Sequence, residues 1–206
     1  MSELQHIISK GEGAKLEFEP EISNIKHLAA TLVAFANSKG GSVLIGVKYS
    51  GKIKGVNPYE EGQMIEEVVS IYTKPSIPYN KVIWKDRHHM VVEIKVNQSK
   101  LKYQAKDDNN EWRPFIRIGG HTCPTNKIID LAWKLSDTFN ENAKYNGDCK
   151  NEIALKLEGV SLTLSKLYAD SNFTLREVDY NLSCLLYMGM VDLSFAETKI
   201  LYTLLK

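Results

Sequence analysis

The segment 25–47 constrains the fold of this chain most strongly. Apolar residues recur at helical spacing from Ile25 to Ala36, so one face of a helix is expected to pack against a core. Ser23 is the predicted N-cap. The helix is expected to end at Asn37, where Gly40-Gly41 supply the backbone freedom that turns the chain. A buried strand is predicted immediately afterwards, which indicates a fold that mixes helices and strands.

The rest of the first 139 residues continues this alternation. Helices are expected over 59–72 and 126–139, and strands over 43–47, 80–84, 90–96 and 112–118. The polar stretch 140–150 predicts a linker. The fold class is therefore α+β, with a first domain over 8–139 built from a mixed sheet and helices.

Residues 151–206 predict a small, mainly helical C-terminal region. Thr174 and Glu177 form a capping box that opens a helix to about Met188. Strands over 191–194 and 199–204 follow, an order that loosely resembles the last two-thirds of a winged helix. This helix has one basic residue, Arg176, against the acidic Glu177 and Asp179. That charge balance favours a role in packing or dimerisation over contact with nucleic acid.

Composition limits the possible partners. The chain has 206 residues, 43% hydrophobic and 25% charged, with a net charge of +1. No apolar run approaches the roughly 20 residues needed to span a bilayer, and the N-terminus lacks the pattern of a signal peptide. Cys123, Cys149 and Cys184 follow no disulfide or metal spacing. A cytoplasmic protein without membrane contact is expected. Residues 1–139 carry a net charge of +3, which allows only a local basic patch.

Two linked motifs identify a family resemblance. The first is the box from Gly11 to Phe18, with Glu12 and Glu17 five residues apart, and the second runs from Phe35-Ala-Asn through Gly40-Gly41 to Leu-Ile-Gly-Val47. In this order they resemble the AlbA-like (AlbA_2) domain of the Schlafen family, over about two-thirds of the chain and most strongly over 11–56. The resemblance implies an α+β Schlafen core and nucleic-acid binding, with DNA in a bacterial transcriptional regulator favoured over RNA.

The same resemblance raises the possibility of catalysis. In a family member that cuts RNA, the two Glu of the box and an Asp in the following hairpin form an acidic triad. Glu12 and Glu17 keep the first two positions as catalytic candidates, but Lys48 and Tyr49 stand at the third. Glu19 replaces the usual Lys and would share a strand face with Glu17. Either these residues hold Mg²⁺ or Mn²⁺ for cleavage, or Glu17 pairs with Lys15 or caps a neighbouring backbone; without cleavage no cofactor is expected.

Basic residues are the candidates for nucleic-acid contact. They cluster on the hairpin after the Gly-Gly strand and on a later strand, and an Arg-Ile-Gly segment there matches the family's Arg-x-Gly: Lys39, Lys48, Lys52, Lys54, Arg113 and Arg117. Lysines on a hairpin can follow a phosphate backbone. The alternative interpretation is that they are solvated surface charges.

Two other patterns predict no site. The segment 46–53 resembles a phosphate-binding loop but has Ile53 in place of the hydroxyl residue and a strand in place of the helix. His121 and Cys123, with His88-His89, do not provide the spacing of a structural zinc site.

Three functions therefore remain open. The first is a non-enzymatic nucleic-acid-binding regulator, the second a metal-dependent endoribonuclease, and the third a protein-interaction scaffold. A homodimer is predicted from the stripe Leu182, Leu185, Leu186 and Met190, with the alternative that Leu164, Leu167 and Tyr168 of the same region fill it.

Overall fold

The computed structural model describes residues 2–138, 147–169 and 171–205. The chain divides into two compact units, Met1–Pro124 and Thr125–Lys206. The α+β class predicted from the sequence is confirmed, because helices and mixed sheets alternate along the chain.

The first unit contains two sheets and the helices that cover them. In chain order its elements are α1 (Glu3–Ile8), β1 (Leu16–Glu19), α2 (Ile25–Asn37), β2 (Gly41–Ile45), α3 (Pro58–Ile71), β3 (Thr73–Lys74), β4 (Asn80–Asp86), β5 (His89–Val96), β6 (Gln104–Lys106), β7 (Trp112–Ile118) and β8 (His121–Pro124). One sheet has the order β1-β2-β5-β4, with β1 and β2 parallel and the other pairs antiparallel. The other has the order β3-β6-β7-β8 and is antiparallel.

Helix α2 packs against both sheets and is buried from Leu28 to Asn37. Its N-cap is Asn24, whose side-chain oxygen accepts from the His27 N–H at 3.0 Å, so the prediction of Ser23 was one residue early. The Gly-Gly turn has a steric cause. Gly40 has φ +70°, and a Cβ on Gly41 would lie 2.5 Å from the Phe35 ring, so a side chain at either position would strain the turn.

Asn37, the last residue of α2, is polar but buried, and its hydrogen bonds explain why. Its amide nitrogen donates to the carbonyls of Tyr103 and Phe115, both at 2.9 Å, and its amide oxygen accepts from the Tyr103 N–H at 2.8 Å. The side chain therefore satisfies backbone groups that the chain brings together from distant positions. It fixes the end of α2 to the segment before β6 and to β7.

The second unit is built from α4 (Lys127–Thr138), α5 (Gly147–Leu157), β9 (Ser161–Thr163), α6 (Leu164–Ala169), α7 (Leu175–Tyr187), β10 (Val191–Ala196) and β11 (Lys199–Leu204). From α5 onward the order is helix, strand, two helices and a hairpin, with sheet order β10-β11-β9, as in winged-helix folds. Helix α4, which the sequence assigned to the first domain, packs on α7 inside the second unit. Of the predicted linker 140–150, residues 140–146 lie outside the described residues, and 147–150 are helical.

Helix α7 begins with the predicted capping box, in which the Thr174 hydroxyl and the Glu177 carboxylate each accept from the other's backbone N–H. Its apolar stripe turns inward. Leu182 and Leu185 are fully buried in one cluster with Leu167, and Tyr168 packs against this cluster. Leu182 and Leu185 are therefore covered by their own unit, the alternative left open by the sequence, whereas Met190 is 37% exposed. The homodimer stays a prediction.

Candidate functional site

The acidic box forms the edge strand β1 of the first sheet. Because side chains alternate along a strand, Leu16 and Phe18 enter one apolar cluster while Glu17 and Glu19 share the opposite face. Glu12 lies in the loop before the strand, and its carboxylate accepts from the Phe18 N–H at 3.0 Å. One carboxylate oxygen of Glu12 therefore holds the backbone of the box in place.

Glu17 is the centre of a buried charge network. Its carboxylate lies 3.0 Å from Nε2 of His27 and is ion-paired with the Arg117 guanidinium. The side chains of Glu17 and Arg117 are only 11% and 3% exposed. The partners of this carboxylate are His27 of α2 and Arg117 of β7, and not the predicted Lys15 or a backbone group.

Arg117 is fixed by further contacts. Its guanidinium donates to the Gly13 carbonyl at 3.0 and 3.3 Å and to the Thr122 hydroxyl at 2.8 Å, and it lies 5.0 Å from the centre of the Phe35 ring. All its interactions are thus directed inward. The prediction that Arg117 contacts nucleic acid does not fit this position, because the side chain is only 3% exposed and its Nε, Nη1 and Nη2 atoms all contact neighbouring protein groups.

Glu19 and His27 complete a cluster that can hold a cation. His27 Nε2 lies 3.5 Å from a Glu19 carboxylate oxygen. One ligand atom from each of Glu17, Glu19 and His27 lies within 4.8 Å of the others, and among the described residues this is the one such group. Two carboxylates and an imidazole suit a divalent transition metal, but Arg117 already neutralises Glu17 and opposes a cation there.

The pKa values of these groups are interdependent. Burial raises the pKa of Glu17, but the His27 and Arg117 contacts outweigh it, so the pKa lies below its usual value. The Glu19 pKa is raised, chiefly by burial and then by the neighbouring carboxylates, although His27 opposes this. The hydrogen bond to Glu17 raises the His27 pKa against the effect of its burial. The surroundings therefore favour the charged form of Glu17 and of His27 and disfavour the charged form of Glu19.

The position of the family's third acid faces the same cluster. Tyr49 is 66% exposed, yet its hydroxyl interacts with the Glu19 carboxylate, which is the main cause of a raised Tyr49 pKa. A phenol stands where the resemblance implies an Asp. The hairpin thus approaches the acidic box as expected but brings no third carboxylate to it.

The predicted basic residues do not form one patch. Lys39 and Lys48 are exposed at opposite ends of β2. Across the following turn, the Lys48 N–H donates to the Lys52 carbonyl at 2.9 Å. Lys54 is ion-paired with Glu21 at 2.6 Å, and Arg113 with Asp107 at 3.1 Å. Within the described residues, Lys39, Lys48 and Lys52 form no ion pair.

The two patterns set aside in the sequence stay without a site. The segment 46–53 follows strand β2 and is a turn closed by a bridge between Val47 and Ile53. The next helix, α3, begins only at Pro58, so the loop does not run directly into a helix N-terminus. His88 and His89 are exposed around the β4–β5 turn, while Cys123 is buried.

Sequence reasoning missed three members of the network: His27, Thr31 and Thr122. The Thr31 hydroxyl lies 3.5 Å from Glu17 and 3.2 Å from the Thr122 hydroxyl. One signal was available, because His27 and Thr31 are four residues apart and so share a face of α2. Thr31 is also a polar residue inside the otherwise apolar buried part of that helix.

Residues 12–126 match the sequence family described as Schlafen, AlbA_2. The chain belongs to this family. No curated protein matches it. Among solved structures, the crystal structure of the DIP2311 protein from Corynebacterium diphtheriae is similar over 86% of this chain, with 15% identity and a TM-score of 0.45. The chain spans 33% of that protein's length.

The family assignment suggests a nucleic-acid-related function. None of the described helices combines the length and apolar character that crossing a membrane requires.

Proposed function

We propose that this Schlafen AlbA_2 protein binds nucleic acid through its β2 hairpin without cleaving it, as a DNA-binding regulator of transcription in the cytoplasm. The observation that supports this most directly lies beside the acidic box. There the hairpin presents Lys48 and Lys52, both exposed and without an ion pair in the described chain, and Lys48 stands with Tyr49 where the resemblance implies the third acid of a cleaving relative.

The state of the box favours binding over cleavage. Clustered carboxylates promote phosphodiester cleavage when they are free to hold a divalent cation. Here Arg117 and His27 already contact Glu17, and Glu12 accepts a backbone N–H. Arg117 thus offsets the Glu17 charge beside the hairpin, and the exposed Lys48 and Lys52 add positive charge that can attract phosphate.

The proposal is tested by charge reversal on the hairpin. Lys48→Glu with Lys52→Glu should weaken binding of duplex DNA and should reduce the slope of log affinity against log salt by about 2, since each lost phosphate contact changes it by about 0.9. The matched control is Lys166→Glu with Lys199→Glu, which changes net charge equally at exposed positions of the second unit. Equal affinity and slope in the hairpin variant and wild type would refute the proposed surface.

Metal-dependent cleavage is a second candidate because Glu17, Glu19 and His27 lie close enough to hold one cation. It predicts RNA cleavage that requires Mn²⁺ and is lost in Glu19→Gln and in His27→Gln. Without a resident metal, the same variants should leave binding intact. An assay of labelled single-stranded RNA with Mn²⁺, Mg²⁺ and a chelator separates the two functions.

The scaffold and homodimer hypotheses need a different surface from the one first considered, since Leu182 and Leu185 are in the core of the second unit. Light scattering of the full chain tests the dimer. A monomer at working concentration would leave nucleic-acid binding to a single copy.

A further inference from the structure

The outer face of the second sheet carries an exposed aromatic side chain between two lysines. In register, Lys106 on β6 pairs with Trp112 on β7, and Lys74 on β3 pairs with Gln104 on β6. Ala105, between Gln104 and Lys106, is buried. Because faces alternate along a strand, Lys74, Lys106 and Trp112 lie together on the outer face; we call them the Trp112 platform.

The platform has the chemistry of a site for stacked bases. Trp112 is 36% exposed, and the amines of Lys106 and Lys74 lie 5.2 and 5.8 Å from the centre of its ring. Lys106 also lies 5.4 Å from the Tyr72 ring. Exposed aromatic rings flanked by cations are how proteins bind single strands regardless of sequence, through base stacking and phosphate contacts.

Charge favours a phosphate ligand over a protein one at this place. Within the described residues neither Lys74 nor Lys106 has a carboxylate partner, whereas Arg113 nearby is paired with Asp107 and Glu111. The contrast with Trp84 supports this. Lys95 lies 5.9 Å from its ring in a similar way, but Glu93 contacts both the Trp84 nitrogen, at 2.8 Å, and Lys95, at 3.4 Å.

A cavity of about 330 Å³ is lined by the start of α2, including His27, and by Lys106 at the end of β6. Lys106 belongs to both the platform and the cavity wall, and His27 and Thr122 belong to both the cavity wall and the charge network. The Asp107 carboxylate in this wall is occupied by Arg113 and by the N–H groups of Asn109 and Glu111. Lys106 is thus the platform residue that also borders the cavity, and the platform itself is defined by the ring of Trp112 and its two lysines.

We propose that the Trp112 platform binds single-stranded nucleic acid, with an unpaired base stacked on Trp112 and its phosphates on Lys74 and Lys106. This inference rests on the proposed nucleic-acid-binding function and names the form of the ligand. An ammonium group at an exposed ring is held more weakly than a stacked base, so the lysines swing from the ring to the phosphates as the base takes their place.

The test uses the full chain and fluorescence anisotropy with labelled oligothymidylate, oligouridylate and a duplex of equal length. Wild type should prefer single strands. Trp112→Ala should weaken single-strand binding about tenfold, which is the usual loss for one stacked base, and Trp112→Phe should retain most of it. Lys74→Gln with Lys106→Gln should also weaken it, whereas the matched control Lys95→Gln should not. The two single-stranded probes separate DNA from RNA.

A second measurement reports contact directly and does not depend on the folding of an alanine variant. In the Trp84→Phe, Trp133→Phe background the remaining fluorescence comes from Trp112, and a stacked base should quench it.

Absence of quenching by a bound single strand, or unchanged affinity in Trp112→Ala, would overturn the platform. If the hairpin variant Lys48→Glu with Lys52→Glu still loses binding in that case, the proposed function stands and the platform alone fails. If wild type binds neither single strands nor duplex, both proposals fail.

Discussion

Replacing Arg117 by Met should destabilise the first unit strongly, because it leaves the Glu17 carboxylate buried without its main charge partner. The Arg117 side chain is 3% exposed and that of Glu17 is 11% exposed, so solvent screens little of the interaction. Breaking a buried ion pair by removing one partner costs about 3–5 kcal/mol. We expect a loss of that size in the free energy of unfolding at neutral pH.

A double-mutant cycle, in which Glu17→Gln is combined with Arg117→Met, distinguishes charge pairing from simple packing. Glu17→Gln alone should also destabilise, since it leaves the guanidinium uncompensated, but the double variant should lose less than the sum of the two. A coupling energy of about 2–3 kcal/mol is expected for residues in direct contact. If the two losses simply add, Arg117 acts through its packing on Phe35 and its hydrogen bonds, and the charge network has been misread.

The pH dependence follows from the direction of each shift. Glu17 has a lowered pKa in the folded state, so its contribution to wild-type stability is present above its ordinary pKa and is lost as pH falls through the folded value. His27 has a raised pKa, so its contribution is present below its ordinary pKa and is lost as pH rises through the folded value. The difference between Arg117→Met and wild type should therefore be largest above the folded-state pKa of His27, where the imidazole is neutral, and smaller below its ordinary pKa of about 6.5, where a positive His27 compensates Glu17.

The assay must report on the first unit alone, because a two-unit chain need not unfold in one step. Trp84 and Trp112 lie in the first unit and Trp133 in the second. Urea unfolding followed by tryptophan fluorescence in a Trp133→Phe background therefore reads the first unit. A difference between Arg117→Met and wild type that is independent of pH would refute the assigned role of His27.

Two further predictions concern the motifs themselves. Asn37→Ala should cost about 2–4 kcal/mol in the same unfolding assay, because the buried backbone groups of Tyr103 and Phe115 lose their partner; Asn24→Ala, at the exposed cap of the same helix, should cost only about 1 kcal/mol. Tyr49→Asp places a carboxylate beside Glu19 and should raise any trace of Mn²⁺-dependent RNA cleavage, with Tyr49→Asn as the uncharged control. Equal rates for the two Tyr49 variants would show that the third acid is not what the site lacks.

Much of the fold could be predicted from the sequence because its signals are local. The apolar spacing and glycine pair of α2, the hairpin of β4 and β5, and the capping box of α7 each depend on neighbouring residues. Helix α5 was missed for the same reason. Its buried residues Cys149, Ile153 and Leu157 recur every four positions, but the polar residues around them gave the start of this helix the composition of a linker.

The site was harder to predict because its contacts are distant in sequence. The spacing of Glu12 and Glu17 places two carboxylates near one strand, but says nothing of what faces them. Arg117 and Glu17 lie far apart in sequence and meet only in the folded unit, where α2 packs on β7 and its residue His27 contacts Glu17. A charged residue on a later strand was therefore assigned to the surface when it is the buried counterion of the box.

The chemistry available to this protein differs from the family pattern where side chains face solvent. The buried residues of the motifs stabilise the fold. Asn37 holds the end of α2 by hydrogen bonds, Gly41 leaves space for the Phe35 ring, and Arg117 is the counterion of Glu17. None of these interactions needs a ligand. At the exposed positions beside them, a lysine and a tyrosine occupy the hairpin, and an accessible tryptophan with its lysines occupies the second sheet. These exposed groups are the ones on which the proposed binding without cleavage depends, since phosphate and base contacts are made by side chains at the surface.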